Sequence, residues 1–563
     1  MSLVRSTVAG RHCATSALLA GVLAIVVACG GSSDDPQPPA PAGSAGSQPP
    51  SDLGLANSGC TLHYVANNDA PRTGADPLLP SQWHLANDGR VTGTAGEDLR
   101  ALAAWPTTRG EGVRVAVLDN AIEVTHDDLA PNVVAGASYD YRPASRGGSY
   151  PMPCTSNESH GTAVAGLASA RDDDAVGGSG VAPRSALVGY NALTTGTTAD
   201  LVDALNRALD GNSIYNNSWG SNDDGFLHPA PPSVETAIAN GIEHGRGGKG
   251  VIYVFPSGNG GCYNDPDDPF TPGQCSGENS NYDGYVNQLG IITVCATDSS
   301  GRQPYYGERG ANILVCAPSS GRSPASFVRT TALSDGYVND FTGTSASTPM
   351  VSGVAALILA ANPNLTWRDV RLILARTARR NDAADADWQP AGSLAFNPKY
   401  GFGVADAQAA VTAARTWTSV GGSESLLSCG PYSANVGTAL PDLAAGQPRP
   451  VASAIDAAGC AIRQIEFVTV RFTATHPSSG DLRLRLRSPA GLVSELADAR
   501  FCYDDSRRIV DCGRYDETRF GTVRHLDEPV VGAGGAVWTL EATDMVAQDQ
   551  GSFVRWSIQF YGR

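Results

Sequence analysis

A serine, a histidine and an aspartate stand in this sequence where each could take part in acyl transfer. Ser345 lies in DFTGTSASTPMVSGVAALILAANP (residues 340–363), where small residues give way to an apolar run from 350 to 361. Such a run of helix formers predicts a buried helix, with Pro349 in its first turn, where a missing N–H costs nothing. Free backbone N–H groups and the positive end of the helix dipole collect there, ready for an oxyanion formed when the hydroxyl attacks a carbonyl. Taken alone, the serine fits the role of an N-cap equally well. His160 opens the small-residue segment SHGTAVAGLAS (159–169), and Asp119 closes the apolar run GVRVAVLDN (112–120). A hydroxyl nucleophile needs a base to take its proton and an anion to orient that base. These three residues supply all of them, in the order Asp, His, Ser.

The elements that must position them read as an α/β arrangement. The run ending at Asp119 has the continuous apolar character of a buried parallel strand, and catalytic groups collect at the C-terminal ends of such strands. Further strand-like runs lie at 186–190, 214–218, 250–255 and 291–296, with helical segments at 199–209 and 233–244 between them. Strands alternating with helices predict a parallel sheet. After about residue 417 the texture changes to period-two alternation, as in VTVRFTATH (468–476) and DLRLRLRSP (481–489), which predicts a β-sandwich. The boundary falls in the Gly- and Ser-rich stretch near 419–423, giving units of 59–417 and 425–563.

The chain has 563 residues, 42% of them hydrophobic, and a formal charge of −17. That charge argues against nucleic acid, which needs clustered Lys and Arg, and suits cations or basic substrates. Residues 1–28 carry Arg5 and Arg11 ahead of a short apolar run, the pattern of a signal peptide. The run ends in VVACGG, which resembles the bacterial lipobox and implies cleavage before Cys29, a lipid on its thiol and an outer-membrane anchor, with ordinary secretion as the alternative. Residues 29–58, rich in Pro, Ala, Gly and Ser, read as a disordered tether. Of twelve cysteines, Cys13 and Cys29 fall in the leader, leaving ten, which suits an oxidising compartment. Nearness in the chain suggests Cys262–Cys275, Cys295–Cys316, Cys429–Cys460 and Cys502–Cys512, with Cys60–Cys154 completing the set.

VAVLDN, SHGTAVAG and GTSASTP together resemble the three active-site motifs of the subtilisin family. The resemblance implies a three-layer fold with a mostly parallel sheet, and Asp119, His160 and Ser345 as its catalytic triad. FPSGNGG (255–261) resembles the segment that supplies the family's oxyanion-hole asparagine, here Asn259. Within the family, IYNNSWGSNDDG (214–225), NYDGY (281–285) and NLTWRDVR (364–371) resemble the kexin/furin branch. ATHPSSGDLRLRLRSPAG (474–491) and GSFVRWSIQFYG (551–562) resemble the jelly-roll-like P-domain that follows the protease there. This implies a calcium-binding serine endopeptidase acting on proteins or peptides after Arg, with Lys second. Asp223 and Asp283 match the carboxylates of the primary specificity pocket, and Asp203 one of the outer subsites.

The resemblance also implies two calcium sites. One uses Asp76, Asp128 and Asp174 with the carbonyls of Arg171, Val176 and Gly178. The other uses Asp223, Asp265 and Glu308, with Glu278 an equal alternative to Asp265. Three departures stand out. Asn120 replaces a second Asp, and Asn157, with Glu158 adjacent, stands where an acidic residue precedes the histidine; both bear on any dibasic requirement. About 45 residues separate Cys29 from Asp76, too few for the usual folding propeptide, so the chain folds unassisted or with a separate chaperone. Two other readings stay open: a broad-specificity subtilisin with a P-domain, and a catalytically inactive surface adhesin.

Overall fold

The computed structural model describes residues 60–62, 64, 72–261, 277–443 and 447–563. Cys29, Asp265 and the pair Cys262–Cys275 lie outside the described residues.

A six-stranded parallel sheet forms the centre of the first half. Its strands are β1 (Arg114–Leu118), β2 (Ala186–Tyr190), β3 (Ile214–Asn217), β4 (Ile252–Pro256), β5 (Ile291–Thr297) and β6 (Ile313–Pro318), in the order β2-β1-β3-β4-β5-β6. Every residue of β3, β4, β5 and β6 is buried, so both faces of the sheet are covered. The α-helices are α1 (Ala101–Ala104), α2 (His160–Ser169), α3 (Thr198–Asn206), α4 (Pro232–His244), α5 (Thr344–Ala361), α6 (Trp367–Thr377) and α7 (Ala407–Ala414). α2 and α5 pack on each other and on the sheet, and α3 packs on α4. α5 is long and apolar enough to cross a membrane by composition, but it is buried as the core helix of this layer.

Four short antiparallel strands follow the sheet: β7 (Val328–Thr331) with β8 (Tyr337–Phe341), and β9 (Gln389–Ala391) with β10 (Leu394–Phe396). The C-terminal part is two four-stranded antiparallel sheets. Its strands are β11 (Leu427–Leu440), β12 (Val451–Asp456), β13 (Ile465–Ala474), β14 (Leu482–Arg487), β15 (Val493–Ala497), β16 (Cys502–Tyr503), β17 (Ile509–Val510), β18 (Thr518–Thr522), β19 (Val537–Asp544) and β20 (Gly551–Gly562). One sheet runs β11-β20-β13-β18 and the other β12-β19-β14-β15, with β16 and β17 a separate hairpin. The alternation in β14 does what period two dictates: Leu482, Leu484 and Leu486 are buried while Arg483, Arg485 and Arg487 face outward.

The two halves share their cores. Phe467, Val523 and Leu526 of the sandwich belong to the core of the first half, and Tyr282 and Ala311 of the first half belong to the sandwich core. A buried ion pair crosses the seam, from the Arg368 Nη2 in α6 to the Glu466 Oε1 in β13 at 2.6 Å. Arg563 adds a second contact to Glu466 at 2.7 Å and reaches Asp527 at 3.0 Å. Arg368 also donates to the carbonyls of Val420 (3.2 Å) and Gly422 (3.1 Å), and Asp369 accepts from the Val420 N–H at 2.9 Å. The Gly- and Ser-rich stretch between the halves is thereby pinned to the start of α6. The disulfides Cys60–Cys154, Cys295–Cys316, Cys429–Cys460 and Cys502–Cys512 are formed, the second joining neighbouring strands β5 and β6.

Candidate active site

Asp119 follows the last residue of β1, with its N–H bonded to the Tyr190 carbonyl at 2.9 Å and its side chain buried. His160 is the first residue of α2. Its Nδ1 lies 3.0 Å from both carboxylate oxygens of Asp119. The approach of strand end to helix start is close enough to require glycine next: a Cβ on Gly161 would stand 2.3 Å from the Ala121 carbonyl oxygen. Asn120 fastens the same junction, because its Oδ1 accepts from the N–H groups of Ala121 (2.7 Å) and Gly161 (3.2 Å). Burial works against a charged His160 ring, but the charge of Asp119 and its hydrogen bond outweigh it and raise the pKa above 6.5.

Ser345 is the second residue of α5, behind Gly343, whose φ of 79° places it in the left-handed region. The helix therefore begins at Thr344, and the sequence expectation for Pro349 needs correction. It is the sixth helical residue, inside the helix, so its missing N–H forgoes a bond to the carbonyl of Ser345 itself. Ser345 is not an N-cap either. Its hydroxyl donates to the Ser218 carbonyl at 3.2 Å, and its N–H has no acceptor among the described residues. Asn259, on the loop after β4, accepts through Oδ1 from the N–H of Thr344 at 2.8 Å. An N–H requires an acceptor, so this bond fixes the amide orientation and leaves Nδ2 for a ligand. Asn259, His160 and Ser345 line one cleft of about 500 Å³, walled also by Phe341 of β8, whose ring stands 5.4 Å from that of His160. A base oriented by a buried anion, a hydroxyl and two free N–H donors are the parts that acyl transfer requires.

A second recess, of about 70 Å³, opens beside Ser345 and is acidic. Asp223, Glu278, Asp283 and Glu308 line it. Asp283 is held by the N–H groups of Ser221 (2.9 Å) and Tyr285 (2.7 Å), and Asp223 lies exposed at the mouth. Burial pushes Glu278 up to about 8; burial, then the charges of Asp223 and Glu278, push Glu308 well above its ordinary value. The carboxylates that come together are thus Asp223, Glu278 and Glu308, with Asp265 outside the described residues. The structure does not bring Asp203 to either recess. Its carboxylate is taken by the Tyr141 hydroxyl (2.6 Å) and the Arg207 Nε (3.0 Å). Glu158 is likewise occupied, capping the turn at Thr155.

Asp76, Asp128 and Asp174 meet around the loop 171–178. Asp76 accepts from the N–H groups of Asp174 (3.1 Å) and Asp173 (3.2 Å) and from the Ser179 hydroxyl (2.7 Å). Asp128 accepts from the Gly178 N–H at 3.1 Å through Oδ2, while its Oδ1 is buried without a partner. Burial, then the charges of Asp174 and Asp76, push Asp128 up to about 9. Among the described residues the carbonyls of Arg171, Val176 and Gly178 accept no hydrogen bond. Crowded carboxylates with an orphaned oxygen and free carbonyls fit a hard cation. Among the described residues no three His, Cys, Asp or Glu side chains are gathered closely enough to hold a metal ion.

Ser218, the resting acceptor of Ser345, and Phe341, the cleft wall, are not foreseen by the sequence, whereas Glu278 is one of the two acids it offers for the second cation site.

The Subtilase family matches residues 110–403, and the Proprotein convertase P-domain matches residues 465–560. Neuroendocrine convertase 2 of Sus scrofa is 33% identical over 514 residues, covering 86% of this chain and 74% of the relative. Proprotein convertase subtilisin/kexin type 5 of Rattus norvegicus is 34% identical over 506 residues, covering 86% of this chain and 26% of the relative. Among solved structures, the serine protease of Aeromonas sobria superposes with a TM-score of 0.74 at 24% identity, covering 88% of this chain and 97% of that one. Its complex with a chaperone gives 0.75 at 24%, covering 91% and 99%.

Proposed function

Because this chain belongs to the subtilase family and is a serine endopeptidase of the subtilisin/kexin type with a P-domain, we propose that it cleaves peptide bonds after Arg, and less well after Lys, by an Asp119–His160–Ser345 triad. The observation that carries the specificity is the acidic recess beside Ser345, lined by Asp223, Glu278, Asp283 and Glu308. A guanidinium presents a planar fork of donors to such carboxylates, where an ammonium offers a point charge.

In this mechanism the Ser345 hydroxyl leaves its resting bond to the Ser218 carbonyl and attacks the scissile carbonyl as His160 takes its proton through Nε2. Asp119 holds the ring and stabilises the imidazolium. The oxyanion is received by the Ser345 N–H and the Asn259 Nδ2. The imidazolium returns its proton to the leaving amine, and water repeats the sequence on the acyl-enzyme. Calcium would be held by Asp76, Asp128 and Asp174 with the carbonyls of Arg171, Val176 and Gly178, and in a second site by Asp223, Glu278 and Glu308. It would supply charge balance that cross-links loops and takes no part in the chemistry. Support for a monobasic preference comes from Asn120, whose side-chain oxygen is turned to the start of α2.

The reading extends to an enzyme lipid-anchored through Cys29 in the bacterial envelope, supported by the VVACGG segment, and folded with a separate chaperone, supported by the Aeromonas sobria complex. Covalent labelling by a fluorophosphonate tests the nucleophile, and no labelling restores the adhesin reading. A peptide panel varied before the scissile bond tests specificity; equal rates for Arg, Leu and Phe favour the broad-specificity reading.

A further inference from the structure

The sandwich packs against the wall of the acidic recess without lining it. Residues 498–503 run from β15 into β16, and Cys502 is tied to Cys512 across a sequence separation of 10. Arg500, 6% exposed, projects from this segment into the first half. Its Nε donates to the Gly225 carbonyl, its Nη1 to the Ser479 carbonyl and the Tyr515 hydroxyl (both 3.2 Å), and its Nη2 to the Ser479 hydroxyl (2.8 Å). The guanidinium lies 4.0 Å from the ring centroid of Tyr282. Two further bonds cross at the same place. The Tyr503 N–H donates to the Asp224 carbonyl at 2.8 Å, and the Tyr282 hydroxyl donates to the Asp498 carbonyl at 3.1 Å.

The residues gripped in this way are the neighbours of the recess carboxylates. Gly225 follows Asp223 by two positions, and its own N–H is bonded to Glu278; Tyr282 precedes Asp283. The fit is tight, since a Cβ on Gly225 would stand 2.0 Å from the Phe501 carbonyl oxygen. Three donor contacts anchor the guanidinium to Ser479 and Tyr515 of its own half, while the bond to Gly225 and the ring face of Tyr282 join it to segments 223–225 and 278–283, so a residue of the other half bridges the two walls. We infer that Arg500 is a positioning residue for substrate specificity, holding the two walls of the acidic recess at the spacing a basic side chain needs. This rests on the proposal that the recess receives that side chain.

The test uses the full chain and the variant Arg500→Met, which keeps the length of the side chain and removes its donors. Three readouts separate the causes: the Kd of p-aminobenzamidine, a compact arylamidinium that samples the recess without turnover; kcat and KM for a peptide with Arg before the scissile bond; and the rate of inactivation by a fluorophosphonate, which reports the nucleophile. Ångström-scale misplacement costs about tenfold to a hundredfold, so amidine affinity should fall and KM rise by that factor in Arg500→Met. The kcat and inactivation rate should stay within about threefold, and Arg500→Lys should recover part of the loss. Amidine affinity and KM unchanged in Arg500→Met overturn the inference. If that variant does not fold, Arg500→Gln, which keeps a polar side chain but is too short to hold both walls, takes its place. The same weakening is expected there, and an unchanged amidine Kd is again fatal. Wild-type protein that reacts with the fluorophosphonate but binds no amidine refutes the recess reading itself, and the inference falls with it. Wild type that binds and a variant that binds equally refute the role of Arg500 alone.

Discussion

Replacing Asp283 by Asn is the most discriminating perturbation of the proposed specificity. Asp283 accepts from Ser221 on one oxygen (2.9 Å) and from Tyr285 on the other (2.7 Å). Asparagine can satisfy only one of these N–H groups, and the other then faces an amide NH₂. That unsatisfied donor costs about 1–3 kcal/mol of stability, whatever peptide is being cleaved. The selective effect is electrostatic. Leaving a guanidinium without its carboxylate in a desolvated pocket costs about 2–5 kcal/mol, and each ~1.4 kcal/mol is tenfold. Asp223 still faces the guanidinium from the mouth of the recess while it shares the proposed cation with Glu278 and Glu308, so the lower end applies, a loss of about thirtyfold for Arg substrates. The assay measures kcat/KM for peptides differing only in Arg, Lys, Leu or Phe before the scissile bond, in wild type and variant. The Arg-to-Leu ratio cancels the loss of stability. A ratio that moves by less than about threefold refutes the reasoning, as does wild-type enzyme that cleaves after Leu or Phe as well as after Arg.

Ser345→Ala should abolish hydrolysis while the circular dichroism stays native, and His160→Ala should cost about as much alone as both do together, because the pair acts as one unit. Residual Ser345→Ala activity within about tenfold of wild type contradicts this. The rising limb of kcat/KM against pH should centre above 6.5, since His160 must lose its proton to act and Asp119 raises its pKa. The sign for stability is opposite: the raised folded pKa contributes fully below the unfolded value near 6.5 and is lost as pH rises through the folded one. Asp119→Asn should move the limb to lower pH, and an unmoved limb counts against the pair. Removing calcium should lower the melting temperature, with linkage worth about 2.7 kcal/mol at a hundred times Kd, and a chelator that leaves the midpoint unchanged excludes the site. Glu466→Gln should cost about 3–5 kcal/mol in denaturant unfolding, because it removes the counter-charge of the buried Arg368; a shift under about 1 kcal/mol means that the charge of Arg368 is balanced without Glu466.

What could be read from the sequence was local. The approach of Asp119 to His160 is encoded within short stretches, an apolar strand ending in an acid and a His-Gly pair whose glycine admits the neighbouring backbone. The outward Arg and inward Leu of β14 are a period that any strand must show. Pro349 was misplaced because the start of α5 is set by the φ of Gly343 and by Asn259, from a distant loop, bonding to Thr344. Asp203 could not be seen to be occupied, because Tyr141 and Arg207 reach it only after folding. Arg500 and Glu466 carry no sequence signal at all. An arginine that bridges two folds looks, residue by residue, like any surface arginine.

The pinned stretch between the halves bears on how such proteins can be rearranged. Residues 419–423 look in the sequence like a flexible hinge at which one unit could be exchanged for another. In the structure that stretch is bonded to Arg368 and Asp369, the same Arg368 is buried against Glu466, and each half lends side chains to the other's core. A chimera spliced there would keep continuous chain but bring Arg368 to a partner without its acid, and the pocket walls to a partner without its arginine. The unit that can be inherited or transplanted intact is the protease together with its sandwich, and drift on one side of the seam constrains what the other side can accept.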